Sequence, residues 1–154
     1  MKKKTGFQKE MMELIAAFII AWVVYQVLAV AIGTSMPIVS VVSDSMYHTS
    51  HFDQWWTNSA QDYVDYNITK EKFRTFIAPE GLSRGDLLVV GKATNPKIGD
   101  VLIYNKFGSD FTIVHRLVGV QESVYIVKGD HNNQADPPVL KEYVVGRVIM
   151  AIPL

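Results

Sequence analysis

Hydrophobic and polar positions divide this chain into two unlike parts. From Leu14 to Ser43 no residue is charged, and Leu14–Ile32 is apolar on every side. A bilayer core takes about 20 helical residues to cross, so this run predicts a transmembrane helix. Such an all-round apolar surface would be out of place on a surface helix of a globular domain. Gln26 is its one strongly polar side chain, tolerable near one end or against a partner. Lys2, Lys3, Lys4 and Lys9 precede the run. The positive-inside rule then leaves the N-terminus in the cytoplasm and the chain after Ser35 outside. A cleaved secretory signal ending at Ala29-Val30-Ala31 is the competing reading, but signal cores span about 7–15 residues and this one is longer.

Beyond Pro37 the pattern changes to short β-type runs divided by glycine, proline and aspartate. Val39–Val42 comes first; Asp86–Val90, Val101–Tyr104, Thr112–Val120, Val124–Val127 and Tyr143–Ile152 follow. Gly85-Asp86, Gly99-Asp100 and Gly129-Asp130 each set a glycine turn beside a strand end, where aspartate can satisfy free amides. Residues 47–84 interrupt the series with a polar, aromatic stretch that has no clear period. The reading is an anchor over 1–36 and a mainly β domain over 37–154, carrying a long aromatic insertion at 47–84.

With 154 residues the chain has room for one modest domain and its anchor. The 15 basic and 15 acidic residues cancel, so no global basic excess points to nucleic acid. There is no cysteine, which excludes disulfides and thiolate metal sites.

Candidate chemistry starts at Ser45, a few residues outside the expected membrane. Serine is a poor nucleophile unless a base takes its proton. Of the histidines His48, His51, His115 and His131, His115 lies inside a strand run. Alternation puts it on the face of Ile113 and Leu117, opposite Val114 and Arg116. A histidine in that setting is more often a satisfied core residue, and a serine at a strand end more often caps a turn. Asp130 and Asp136, in the polar loop after the next strand, could hold the imidazole tautomer. Spacing alone does not choose between that role and an Asx-rich turn.

Together these pieces resemble the type I signal peptidases, membrane-anchored serine endopeptidases that remove signal peptides. Ser43-Asp44-Ser45-Met46 matches the family's Ser-x-Ser-Met box. Arg84-Gly85-Asp86-Leu87-Leu88-Val89-Val90 and Gly99-Asp100-Val101-Leu102-Ile103-Tyr104 look like the next strand boxes, Val114-His115-Arg116 the base-bearing box, and Lys128-Gly129-Asp130-His131-Asn132 the late Gly-Asp-x-Asn box. The resemblance implies a small β-barrel-like catalytic domain. A histidine at the base position, where the bacterial branch has lysine, places the chain with the archaeal and endoplasmic-reticulum-type enzymes. It further implies Ser45 as nucleophile, His115 as general base, and Asp130 and Asp136 as the two late acidic positions, Asp136 being favoured to orient the imidazole. Ser43 and the Ser45 backbone N–H would form the oxyanion hole. The implied partners are signal-bearing precursors, the lipid bilayer and the secretion translocon, with no nucleic acid, metal or other cofactor. The implied location is the plasma membrane, or the endoplasmic reticulum in a eukaryote.

The sequence departs from the family pattern at several points. Asp44 replaces a glycine and His48 stands where proline is expected, so the Asp44 carboxylate must point away from Ser45 or be paired. His131 replaces the first asparagine of a Gly-Asp-Asn-Asn pattern. Residues 47–83 are much longer than the family's connection; their Trp and Tyr content suits either an interfacial flap or a small packed subdomain. The chain stops at Ala151-Ile152-Pro153-Leu154, early for the family, which implies missing terminal structure. Asn67-Ile68-Thr69 fits a glycosylation sequon. Three rival readings remain: a zinc site from His48, His51 and Asp53; a non-catalytic anchored β module or subunit of a processing complex; and a Ser-Lys self-cleaving repressor-type peptidase, opposed by both the anchor and His115.

Overall fold

The computed structural model describes residues 6–106, 108 and 111–154. Lys2, Lys3 and Lys4, part of the basis for the expected orientation, lie outside the described residues. The apolar run forms one helix, α1 (Gly6–Ile32). It is long and apolar enough to cross a membrane, and none of its apolar stretch is buried against the rest of the chain.

The remainder is mainly β. Its strands are β1 (Ile38–Ser40), β2 (Leu87–Gly91), β3 (Val101–Asn105), β4 (Thr112–Val120), β5 (Val124–Lys128), β6 (Val139–Leu140) and β7 (Val144–Ile152). They form one antiparallel sheet in the order β1-β2-β7-β3-β4-β5-β6. β1 and β6 are its edges. β6 is an addition to the expected set: two residues after Pro137-Pro138 carry no readable alternation.

β3 is interior and covered on both faces, so Val101–Tyr104 is buried throughout and reads as a continuous apolar run. Val101 and Ile103 pack with Leu88, Val90, Val148, Val41, Met46 and Leu82. Leu102 and Tyr104 face the other way, with Leu117, Val127, Tyr125 and Val139. Each such side chain stabilises the fold by about 1.5–3 kcal/mol.

The insertion is a packed subdomain, and the alternative of an interfacial flap is corrected. It folds into three short helices, α2 (Phe52–Ser59), α3 (Gln61–Val64) and α4 (Lys70–Phe73). Phe52, Trp55, Trp56, Tyr63, Ile68 and Phe73 are buried in one cluster that meets the sheet at Val118, with Ile126 and Ile98 packed against it. Aromatics turned inward onto their own sheet are not available to a membrane interface. α3 and α4 have four residues each and α2 only eight, too few for a 3.6-residue period to stand out along the stretch.

Candidate active site

Ser45 sits in a tight turn that the chain enters from β1. The Tyr47 N–H closes it by donating to the Asp44 carbonyl at 3.0 Å. Met46 drives the turn into the core at 1% exposure, and its carbonyl accepts from the Leu82 N–H at 2.8 Å. The Ser45 side chain is left half-buried, its Oγ 3.2 Å from Ser43 Oγ.

His115 projects from the middle of β4 on the Leu102 and Leu117 side, as alternation requires, and is buried. Its Nδ1 is hydrogen-bonded to Asp136 Oδ2. The Tyr104 hydroxyl donates to the same carboxylate oxygen at 2.8 Å and lies 3.3 Å from His115 Nδ1. Burial, then the charge of Asp136 and the bond to it, push the Tyr104 hydroxyl well above the ordinary phenol range, so it stays a donor. A carboxylate accepts only, so the proton between Asp136 and the ring lies on Nδ1 and leaves the Nε2 lone pair free.

That Nε2 faces the turn that carries Ser45. A methyl group on Gly129 would sit 2.6 Å from the Ser45 carbonyl oxygen and 2.9 Å from His115 Nε2. Both atoms therefore converge on one point, and only a glycine lets the late loop pass between them. The His131 N–H in that loop donates to the Ser45 carbonyl at 2.9 Å. A cavity of about 530 Å³, walled by Ile113, Pro137, Val139 and Tyr143, opens beside Tyr104 and Asp136.

Asp130 lies elsewhere, on the opposite face of β4. Arg116 Nε donates to its Oδ1 at 2.9 Å and Nη2 to Oδ2 at 2.7 Å. The Tyr63 hydroxyl adds a bond at 2.9 Å and His48 Nε2 another at 3.1 Å. Arg116 also donates to the Ile77, Ala78 and Gly99 carbonyls and stacks 4.6 Å over Phe73. Burial raises the Asp130 pKa, but the Arg116 charge and the bonds from His48 and Arg116 outweigh it and hold the carboxyl below the ordinary range. The structure thus brings Ser43, Ser45, His115 and Asp136 together and gives Asp130 to Arg116.

The other candidates also have addresses. Asp44 is paired with Arg84, Nε to Oδ1 at 2.8 Å and Nη2 to Oδ2 at 2.7 Å. That bidentate bond, first of several causes, lowers its pKa. Asp53 pairs with Lys70 and Arg74, while His48 points at Asp130. No group of three or more metal-ligating side chains converges among the described residues. Sequence reasoning missed Tyr104 and the Arg116 cluster. The signal for the second was available: an arginine between Val114 and Val118 on a strand must bury its charge against a carboxylate.

Comparison with known proteins gives a likeness over part of the chain. An alignment of 86 positions is 37% identical to "Signal peptidase complex catalytic subunit SEC11" of Leptosphaeria maculans, covering 46% of this chain and 49% of that protein. The chain therefore spans about half the length of the curated relative it matches. No family model matches the chain. The chain resembles the type I signal peptidases, in their endoplasmic-reticulum-type branch.

Proposed function

We propose that the chain is a membrane-anchored serine endopeptidase that removes N-terminal signal peptides from exported precursors after small-x-small sites. The observation that carries this reading is the line from Asp136 through His115 Nδ1 to an Nε2 facing the Ser45 turn. Ser45 Oγ attacks the scissile carbonyl while His115 Nε2 takes its proton, then returns it to the leaving amine; water releases the acyl-enzyme. Asp136 holds the tautomer and stabilises the imidazolium, with Tyr104 fixing the carboxylate. The Ser45 N–H and Ser43 Oγ receive the developing oxyanion, where one donor is worth about 10²–10³ in rate.

Among the described residues, two backbone edges without a strand partner flank the site. β1 pairs on one side only, with β2, and β5 pairs with β4 from Arg116 onward, leaving Thr112–Val114 uncovered on that side. An extended cleavage segment can add to either by backbone hydrogen bonds. α1 spans the bilayer with the lysines of the N-terminus cytoplasmic, and it holds the site at the height where signal peptides leave the membrane. The partners on this reading are precursor proteins, lipid and the secretion machinery; the SEC11 relative is by name a subunit of a complex.

The test is cleavage of a signal-bearing precursor by the detergent-solubilised chain. Ser45→Ala and His115→Ala are expected to lose on the order of 10⁶-fold in kcat with melting unchanged. Full activity in either variant rejects the assignment.

A further inference from the structure

We propose that His48 is a positioning residue for Ser45, holding the nucleophile at its distance from His115 through a bridge made by the Asp130 carboxylate. The inference rests on the peptidase reading above and adds to it a residue from outside the Ser-His-Asp set. Two lines of contact meet at that carboxylate. From the base strand, Arg116, the residue after His115, donates to Asp130 through Nε at 2.9 Å and Nη2 at 2.7 Å. From the nucleophile's turn, His48, three residues after Ser45, donates through Nε2 at 3.1 Å; the carboxylate accepts only, so Nε2 carries the proton.

The backbone closes a circuit. The His131 N–H, one residue beyond Asp130, donates to the Ser45 carbonyl at 2.9 Å. Residues 45–48, Asp130 and His131 thus form a ring closed by two hydrogen bonds, and Asp130 ties that ring to the strand of the base. Without the His48 bond, the hydrogen bond left between the turn and the late loop among the described residues is the one from the His131 N–H.

The imidazole is built to hold one orientation. It stacks on Trp55 with ring centroids 3.5 Å apart and planes within 8°. Gly81 closes against the ring so tightly that a Cβ there would lie 2.7 Å from His48 Cδ2. Met46 is separately anchored in the core, so the turn stays folded when the bridge is cut. What His48 supplies is the link to the base. Trp55, which carries the stack, and Tyr63, which donates to the same Asp130 carboxylate at 2.9 Å, both come from the insertion, so the aromatic subdomain supports the bridge that His48 completes to the Ser45 turn.

Two substitutions separate positioning from packing. His48→Phe keeps the stack on Trp55 and removes the donor; His48→Gln keeps an N–H donor and loses the ring. Cleavage of a signal-bearing precursor by the full chain in detergent is followed with thermal melting of each variant. A misplacement of about 1 Å can cost about 10²-fold. His48→Phe is therefore expected to melt nearest the wild type yet lose about 10- to 100-fold in kcat with little change in KM. His48→Gln is expected to melt lower and keep more of its kcat. Activity that follows melting temperature, a loss confined to KM, or wild-type turnover by His48→Phe overturns the inference. Ser45→Ala run alongside distinguishes the two levels. If Ser45→Ala cleaves, the peptidase reading falls and this inference with it; if Ser45→Ala is dead and His48→Phe is fully active, His48 alone is wrongly assigned.

Discussion

Replacing each of the two late carboxylates by its amide separates their roles, because Asp136 and Asp130 differ in partner and in burial. In Asp136→Asn the negative charge beside the imidazole is lost whichever way the amide turns. With charge centres about 4 Å apart and an effective dielectric of about 20, that charge stabilises the imidazolium by about 4 kcal/mol, or about 10³-fold in rate. If the amide N–H faces His115 Nδ1, the ring proton moves to Nε2, the atom that accepts from Ser45 in the proposed mechanism, and the loss approaches about 10⁴-fold. The Asp136 side chain is 22% exposed and has Tyr104 as its other partner, so melting should change by only a few degrees. Asp130→Asn instead leaves the fully buried Arg116 charge without its counter-ion. Breaking a buried pair costs about 3–5 kcal/mol, about 10–20 °C in a domain of this size. The assay is single-turnover cleavage of a precursor with melting on the same samples. A turnover within tenfold of wild type for Asp136→Asn, or unchanged melting for Asp130→Asn, refutes the division of labour.

Further outcomes follow from the same contacts. Because Asp130 has a folded pKa below its ordinary value, the unfolded chain takes up that proton first on acidification. Its contribution to stability is present above about pH 4 and lost as pH falls toward the folded value; Asp130→Asn should flatten this acid limb in a melting-versus-pH series. Arg84→Gln frees the Asp44 carboxylate between Ser43 and Ser45 and, on the proposed mechanism, should lower kcat about 3- to 10-fold, with Arg84→Gln/Asp44→Gly restoring it. Phe73→Ala should destabilise by about 3–5 kcal/mol in chemical denaturation, since Phe73 is fully buried among Trp55, Trp56 and Tyr63 and under Arg116. Deleting residues 48–82 should abolish folding, read by loss of a cooperative melt, because Arg116 and Asp130 both lose partners there.

What was legible in the sequence was what repeats. The β4 run shows its nine residues at full length, and alternation alone placed His115 on the correct face, because a half-buried strand writes its geometry into every second residue. The apolar run of α1 was equally plain. β6 was not, since two residues cannot show a period. The insertion's helices were hidden for the same reason; their burial is fixed by contacts with Val118 and Ile126, far away in sequence. Asp130 and Asp136 looked interchangeable because they share one polar loop. They part because Asp130 follows Lys128, which pairs with Arg116, while the Asp136 N–H returns to the Val127 carbonyl at 2.9 Å. The loop folds back across the end of β5 and delivers one carboxylate to each face of β4.

Three of the departures from the family pattern, Asp44, His48 and the long insertion, are tied into the structure by these contacts. A glycine replaced by Asp44 puts a negative charge between Ser43 and Ser45, and Arg84, at the head of the next strand box, neutralises it. A proline replaced by His48 gives up a residue whose ring fixes φ and stiffens the turn. The imidazole supplies stiffness by other means, a hydrogen bond on its edge and Trp55 on its face. That exchange works only if Trp55 is there, and Trp55 belongs to the insertion. The insertion in turn covers Arg116 and Asp130, excluding the water that would weaken their pair. A histidine at this position without the insertion would lose its stack and its dry environment. The insertion without the histidine would leave one side of the Asp130 bridge unmade. The unusual turn and the unusual subdomain are therefore one structural device, and substitutions at His48 and Trp55 should be strongly non-additive.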